Sequence, residues 1–185
     1  MARRLVLLTG ATGYVGERLA PRLIERGYAV RVLARDPERL AARPWRSQVE
    51  VYAGDVGDPE SLRRALQDVE VAYYLVHSMQ SSGDFAERDR HNACTFAQAA
   101  RATGLKHLIY LGGLLPREGA PSAHLSSRAE VGAILRDALP CTEFRAGPII
   151  GSGSASFEMV RYLTERLPVM VTPRSTGMRS IPSIA

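Results

Sequence analysis

Lysine is nearly absent from this chain: of its 24 basic residues only Lys106 is a lysine, and the rest are arginines. These arginines are scattered, with no basic run interleaved with aromatics, and aromatic residues make up only 6% of the sequence. The net charge of +5 therefore reflects arginine-biased composition, and no nucleic-acid partner is expected. Cysteine is equally scarce. Cys94 and Cys141 are isolated, with no CxxC pair and no metal-ligand spacing. That excludes a disulfide scaffold, points to no metal, and reads as reduced thiols in a cytoplasmic protein. Long apolar runs are missing too. After Arg3 and Arg4 only Leu5 to Leu8 precede Thr9, too short for a signal-peptide core, and nothing approaches the ~18 apolar residues of a membrane span. What remains is ordinary globular composition, 45% apolar and 23% charged over 185 residues, enough to bury a real core.

The informative stretch is Leu5 to Gly16, LVLLTGATGYVG. Four apolar residues read as a buried strand. Gly10, Gly13 and Gly16 then follow at intervals of three, as GxxGxxG. From Tyr14 the period becomes helical, with Val15, Leu19, Leu23 and Ile24 on one face. Strand, glycine turn and helix form the context of a dinucleotide site. Gly10 permits the tight turn, Gly13 lets a pyrophosphate approach the backbone, and Gly16 lets the helix pack close to the strand. Free N–H groups and the dipole at the helix start favour anionic phosphates.

Further along, Tyr28 to Ala34 alternates as a second strand and ends at Arg35, about twenty residues beyond Gly16, where an NAD-preferring fold carries an acidic residue for the ribose 2′-hydroxyl. Arg35 offers a cation to a 2′-phosphate instead, which favours NADP(H) over NAD(H), although Asp36 follows it. Ser47 to Ala53 reads as a third strand running into Gly54-Asp55-Val56-Gly57. Asp55 is either an adenine partner or a turn former. Asp58 and Pro59 start a helix over 60–66. Val69 to Val76 is the fourth strand, with His77 at its carboxyl edge. Asp84 caps a long helix to about Ala102, Lys106 to Leu111 forms the fifth strand, and a helix over 125–139 precedes a strand over 141–145. A helix around Phe157 to Leu167 and a short strand over 168–173 follow. This alternation predicts an α/β fold, a Rossmann-type doubly wound parallel sheet with helices on both faces. Residues 1–150 form the dinucleotide-binding domain and 151–185 a partial segment on the substrate side.

The phrases TGATGYVG, LARDPERL, GDV, RAEVGAIL and TEFRAGPIIGSG resemble the atypical short-chain dehydrogenase/reductases of the NmrA-like group. AYYLVHSM, DFAERDR and GSGSASFEMVRYLTERLPVMVTPR are similar to bacterial NAD(P)-binding proteins of that group. The resemblance implies a Rossmann fold binding NADP(H). It assigns Gly10, Thr12, Gly13, Tyr14, Val15 and Gly16 to the pyrophosphate and Arg35 to the 2′-phosphate. Asp55 and Val56 flank the adenine, and Leu75, Val76 and His77 follow the ribose and nicotinamide. Gly147, Pro148 and Ile149 lie near the carboxamide. It also implies a C-terminal lobe that is short or truncated here, with an exposed apolar surface that would favour a homodimer.

Active members of that superfamily use a Tyr and a Lys four residues later, with a Ser or Thr after the fifth strand. Matching Arg128-Ala129-Glu130 to the usual Lys-Ala-Glu puts His124 at the Tyr position and Arg128 at the Lys position, with Gly112 and Gly113 in the Ser/Thr region. His124 and Arg128 are the candidate catalytic pair, and His77 is a second candidate histidine. A surface histidine that merely starts a helix is the plainer reading of His124. Three functions stay open: an NADP(H)-dependent oxidoreductase on a small organic molecule, a non-catalytic NADP(H)-sensing or regulatory protein, and a structural factor built on an empty Rossmann domain.

Overall fold

The computed structural model describes residues 3–78 and 85–166, without the side chains of residues 155 and 156. The elements are β1 (Leu5–Thr9), α1 (Tyr14–Glu25), β2 (Ala29–Ala34), β3 (Glu50–Ala53), α2 (Pro59–Leu66), β4 (Val71–Tyr74), α3 (Phe85–Ala102), β5 (His107–Gly113), α4 (Ala123–Ala138), β6 (Cys141–Ala146) and α5 (Ala155–Arg166). The six strands form one parallel sheet in the order β3-β2-β1-β4-β5-β6. The chain steps outward from β1 to β3, then returns to the other side of β1 at β4. This reversal leaves a crevice beyond the carboxyl ends of β1 and β4, where doubly wound sheets bind ligands.

Alternation along the buried strands feeds two cores, one on each face of the sheet. In β1, Val6 and Leu8 join Ala20, Leu23, Val32, Leu40 and Trp45 under α1 and the short 3-10 turns that follow β2. Leu7 points the other way, into a cluster with Leu62 and Leu66 of α2, Phe96 of α3, Leu108 and Tyr110 of β5, and Leu135 of α4. Tyr74 meets the Phe96 ring edge-on there, with centroids 5.1 Å apart. The helices thus cover both faces, as the alternation of elements predicts.

Several boundaries shift for local reasons. The third strand starts at Glu50, not Ser47, because residues 46–48 form a 3-10 turn behind the buried Trp45. The fourth is shorter than 69–76: Val69 N–H bonds back to Leu66 as a turn, and Leu75 N–H bonds to the Thr9 hydroxyl at 3.3 Å. The fifth runs on through Gly112 and Gly113, which pair with Arg145 and Ala146 of β6. The fourth helix starts two residues early, with Ser122 as its cap. Asp58 caps α2 as expected, its carboxylate accepting from Glu60 and Ser61 N–H. The Asp84 cap and the strand over 168–173 lie outside the described residues.

By internal contacts the chain divides into two compact units, Met1–Gly147 and Pro148–Ala185. The first holds the whole sheet. In the second, Ser154 donates its hydroxyl to the Ile149 carbonyl at 2.8 Å and accepts the Phe157 N–H at 3.2 Å. Arg161 ties Glu158 and Glu165 along the charged side of α5, and Met159, Val160 and Leu163 expose their apolar surface.

Candidate functional site

At the carboxyl end of β1 the three glycines do three different jobs. Gly10 has φ +74°, and a Cβ on it would stand 2.8 Å from the Leu75 carbonyl oxygen, so only glycine both adopts this turn and lets the ends of β1 and β4 approach. A Cβ on Gly16 would lie 2.3 Å from the Gly10 oxygen and 2.7 Å from the Ala11 Cα; this is where α1 crosses its own entry turn. Gly13 is exposed, and a Cβ there would meet nothing but the Gly10 oxygen, at 3.3 Å. Its N–H closes the turn onto Gly10 at 3.0 Å. Gly13 is also the N-cap of α1, and no side chain caps that end. The first-turn amides of Tyr14, Val15 and Gly16 therefore have no side-chain cap, with the helix dipole behind them, beside half-buried Thr12. This cradle fits a pyrophosphate: donors without side-chain partners, a positive dipole end, and no Cβ in front.

Thr9, which sequence reasoning passed over, fastens the two sides of the crevice. It is fully buried, donates its hydroxyl to the Tyr73 carbonyl at 3.0 Å and accepts from Leu75 N–H at 3.3 Å. Thr9→Val keeps the shape but removes both of these hydrogen bonds to β4. The expected loss is ~1–3 kcal/mol of stability, measured by urea unfolding. An unchanged midpoint would show that the clasp does not hold β4.

The end of β2 presents Arg35, with its side chain 76% exposed and its Nε 4.0 Å from Asp55 Oδ2. Asp36 is occupied locally, accepting from Glu38 N–H at 3.2 Å as a cap. Asp55 forms the turn with one oxygen, Oδ1, which accepts Gly57 N–H at 2.8 Å, and its other oxygen faces Arg35. Val56 turns its side chain into the core beside Leu33 and Leu62. Val76 packs against that same core, while Leu75 belongs to the opposite cluster.

Beyond β4 and β5 lies a second group of side chains. His77 and His124 stand edge to face, with ring centroids 6.3 Å apart, and the Phe85 ring is also 6.3 Å from His124. Arg128 donates from Nε to His124 Nε2 at 3.1 Å. The buried Tyr110 donates its hydroxyl to the Arg128 carbonyl at 3.0 Å, pinning this turn of α4 to β5. Gly113 makes room for it: a Cβ there would stand 2.7 Å from Leu125 Cδ2 and 3.2 Å from Arg128 Cδ. Asp89 of α3, almost fully buried, accepts Ser78 N–H at 3.0 Å and so holds the segment after His77.

The electrostatics of this group oppose protonation of either ring. Burial first, then the charges of Arg128 and His124, lower the His77 pKa to about 4, against a smaller opposing pull from Asp89. The pKa of His124 also falls below the ordinary histidine value, through burial and then Arg128. Burial pushes the phenols of Tyr74 and Tyr110 far above theirs.

The family resemblance paired His124 with Arg128, and the two side chains do touch. Sequence reasoning missed Thr9, Asp89 and Tyr110. Asp89 carried one readable signal, since it shares the helical face of Ala93, Phe96 and Ala100, all buried. Gly147 closes the first unit, and Pro148 and Ile149 open the second. Cys94 and Cys141 are half-buried free thiols. Among the described residues no group of three or more His, Cys, Asp or Glu is placed to hold a metal ion. No described helix is long and apolar enough to cross a membrane.

Sheet order, switch point and glycine cradle define a dinucleotide-binding Rossmann domain. The chain belongs to the NAD(P)H-binding family, whose profile matches residues 10–143. It is 33% identical over 175 residues to the ceramide reductase of Caulobacter vibrioides, across 91% of this chain and 54% of that protein. It is 40% identical over 114 residues to the (4-alkanoyl-5-oxo-2,5-dihydrofuran-3-yl)methyl phosphate reductase of Streptomyces griseus, across 62% of this chain and 36% of that protein. The chain thus spans about half or less of the length of these curated relatives. Among solved structures, the Bordetella bronchiseptica enzyme WbmH in complex with NAD+ superposes with a TM-score of 0.71 at 18% identity, across 89% of this chain and 64% of that one; this likeness shows the shared fold.

Proposed function

We propose that this chain is the cofactor-binding part of an NADP(H)-dependent reductase acting on a small organic molecule. The observation that carries the reading is the exposed, uncapped start of α1 behind Gly13, with the exposed Arg35 at the end of the neighbouring strand. In this reading the amides of Tyr14, Val15 and Gly16, beside Gly10, Thr12 and Gly13, take the pyrophosphate and Arg35 takes the 2′-phosphate. Asp55, through the oxygen that faces Arg35, and Val56 flank the adenine, and Leu75 to His77 border the ribose and nicotinamide. Gly147, at the end of the first unit, is assigned to the carboxamide. His124 and Arg128, in this reading, take the places of the Tyr and Lys that the family resemblance implies. When bound, the cofactor supplies hydride; the chain binds, orients and shields it.

A second reading, an NADP(H)-sensing or regulatory protein without turnover, draws on the burial and the Arg128 charge that lower the pKa of both histidines and disfavour either as a proton donor. Following NADPH oxidation against a panel of quinones and α,β-unsaturated carbonyls separates the two. Turnover supports the reductase; tight NADPH binding without turnover of any panel member supports the sensor.

A further inference from the structure

The arrangement around His124 restricts what that residue can do if the reductase reading holds. A guanidinium N–H has a hydrogen to give and no lone pair to offer, so at 3.1 Å from Arg128 Nε the His124 Nε2 must be the acceptor. The ring proton is then on Nδ1, which has no hydrogen-bond partner among the described residues. A second proton would have to sit on Nε2, pointing N–H at N–H. The groups facing the ring are Arg128 from its own helix, His77 from the end of β4 and Asp89 from α3, besides the Phe85 ring. Burial resists a new positive charge on the ring, the Arg128 guanidinium adds to that resistance, and Asp89 opposes it.

We propose that His124 serves as a fixed hydrogen-bond donor through Nδ1–H, holding the carbonyl oxygen of an α,β-unsaturated carbonyl substrate as that oxygen becomes an enolate, and that it is not the proton donor of the reaction. Hydride adding to the β-carbon breaks the C=C π bond, forms the new C–H bond, and moves the electron pair through the α-carbon onto oxygen. The oxidised dinucleotide is the other product. The enolate then takes a proton at its α-carbon from water, giving the saturated carbonyl compound and hydroxide. An isolated ketone makes a harsher demand, because its alkoxide is far more basic than an enolate and needs an acid at the moment of transfer. A neutral donor aimed at developing charge suits the conjugated substrate.

The inference rests on the reductase reading, and the test separates the two. Proton–nitrogen NMR of the histidine rings in the chain without cofactor is expected to show His124 protonated on Nδ1 and bare on Nε2 from pH 6 to 8 (roughly one unit either side of neutral). A proton on Nε2, or titration at or above the ordinary histidine pKa, would overturn the inference whatever the activity. Turnover is then followed with NADPH and either 2-cyclohexen-1-one or cyclohexanone. The expected result is reduction of the enone alone, at a rate independent of pH over that interval, with His124→Phe lowering kcat about 10²-fold while NADPH affinity stays unchanged. Reduction of cyclohexanone with a rate that falls as pH rises would make the residue an acid and overturn the inference while leaving the reductase reading intact. Bound NADPH with the enone untouched would also overturn it. Failure to bind NADPH would instead overturn the reductase reading itself.

Discussion

Gly16→Ala is expected to destabilise the fold by about 3 kcal/mol, because the added methyl carbon would stand 2.3 Å from the Gly10 oxygen and 2.7 Å from the Ala11 Cα. Both are backbone atoms, so relief requires opening the turn or lifting α1 from β1. In thermal unfolding the loss should read as roughly 6–12 °C for a chain of this size. Gly13→Val is the contrasting variant. At that exposed position the backbone has φ −86°, which any residue adopts, and the new Cβ meets one atom at 3.3 Å. The melting temperature should hardly move. Dinucleotide affinity should fall at least ~100-fold, since the side chain occupies the face on which a pyrophosphate must approach the amides. Two glycines three residues apart thus separate into one required by packing and one required by the ligand. If Gly13→Val bound NADPH normally, the turn would be no more than a turn.

The second large effect concerns the choice between cofactors. Arg35→Ala should weaken NADPH by ~1–3 kcal/mol, the value of a charge-assisted contact, and leave NADH nearly unchanged. Arg35 is free to make that contact because its carboxylate neighbour is 4.0 Å away and both side chains are exposed, where such a pair contributes little. Asp36, the residue that could have argued for NADH, is held as the cap of the following 3-10 turn. Equal weakening of both cofactors would remove Arg35 from the 2′-phosphate and assign it to general electrostatic attraction.

Much of this architecture is legible in the sequence because its signals are local. Val6, Leu7 and Leu8 mark a strand buried on both faces, the change of period after Gly13 marks a helix, and Asp58-Pro59 marks a helix start. His124 and Arg128 were paired by the family resemblance, and their contact on one helix face agrees with that pairing. What could not be read depends on residues distant in the chain. The Thr9 hydroxyl matters because β4 lies alongside β1, 64 residues later at Tyr73. Tyr110 matters because its ring passes under α4 to reach the Arg128 carbonyl. Asp89 looks like one more charge on a polar helix until the Ser78 amide is placed against it. Gly113 looked like the loss of a hydroxyl, whereas its missing side chain is the space into which Leu125 and Arg128 pack. The strand ends moved for the same kind of reason: Leu75 leaves the β4 ladder for a side chain on β1.

The most direct test of the account is a calorimetric titration of the chain with NADPH and with NADH, repeated on Gly13→Val. The account predicts saturable binding of NADPH, binding of NADH at least about tenfold weaker, and loss of both in the variant. NADH binding as tightly as NADPH, or a Gly13→Val protein that binds like the parent, would contradict it.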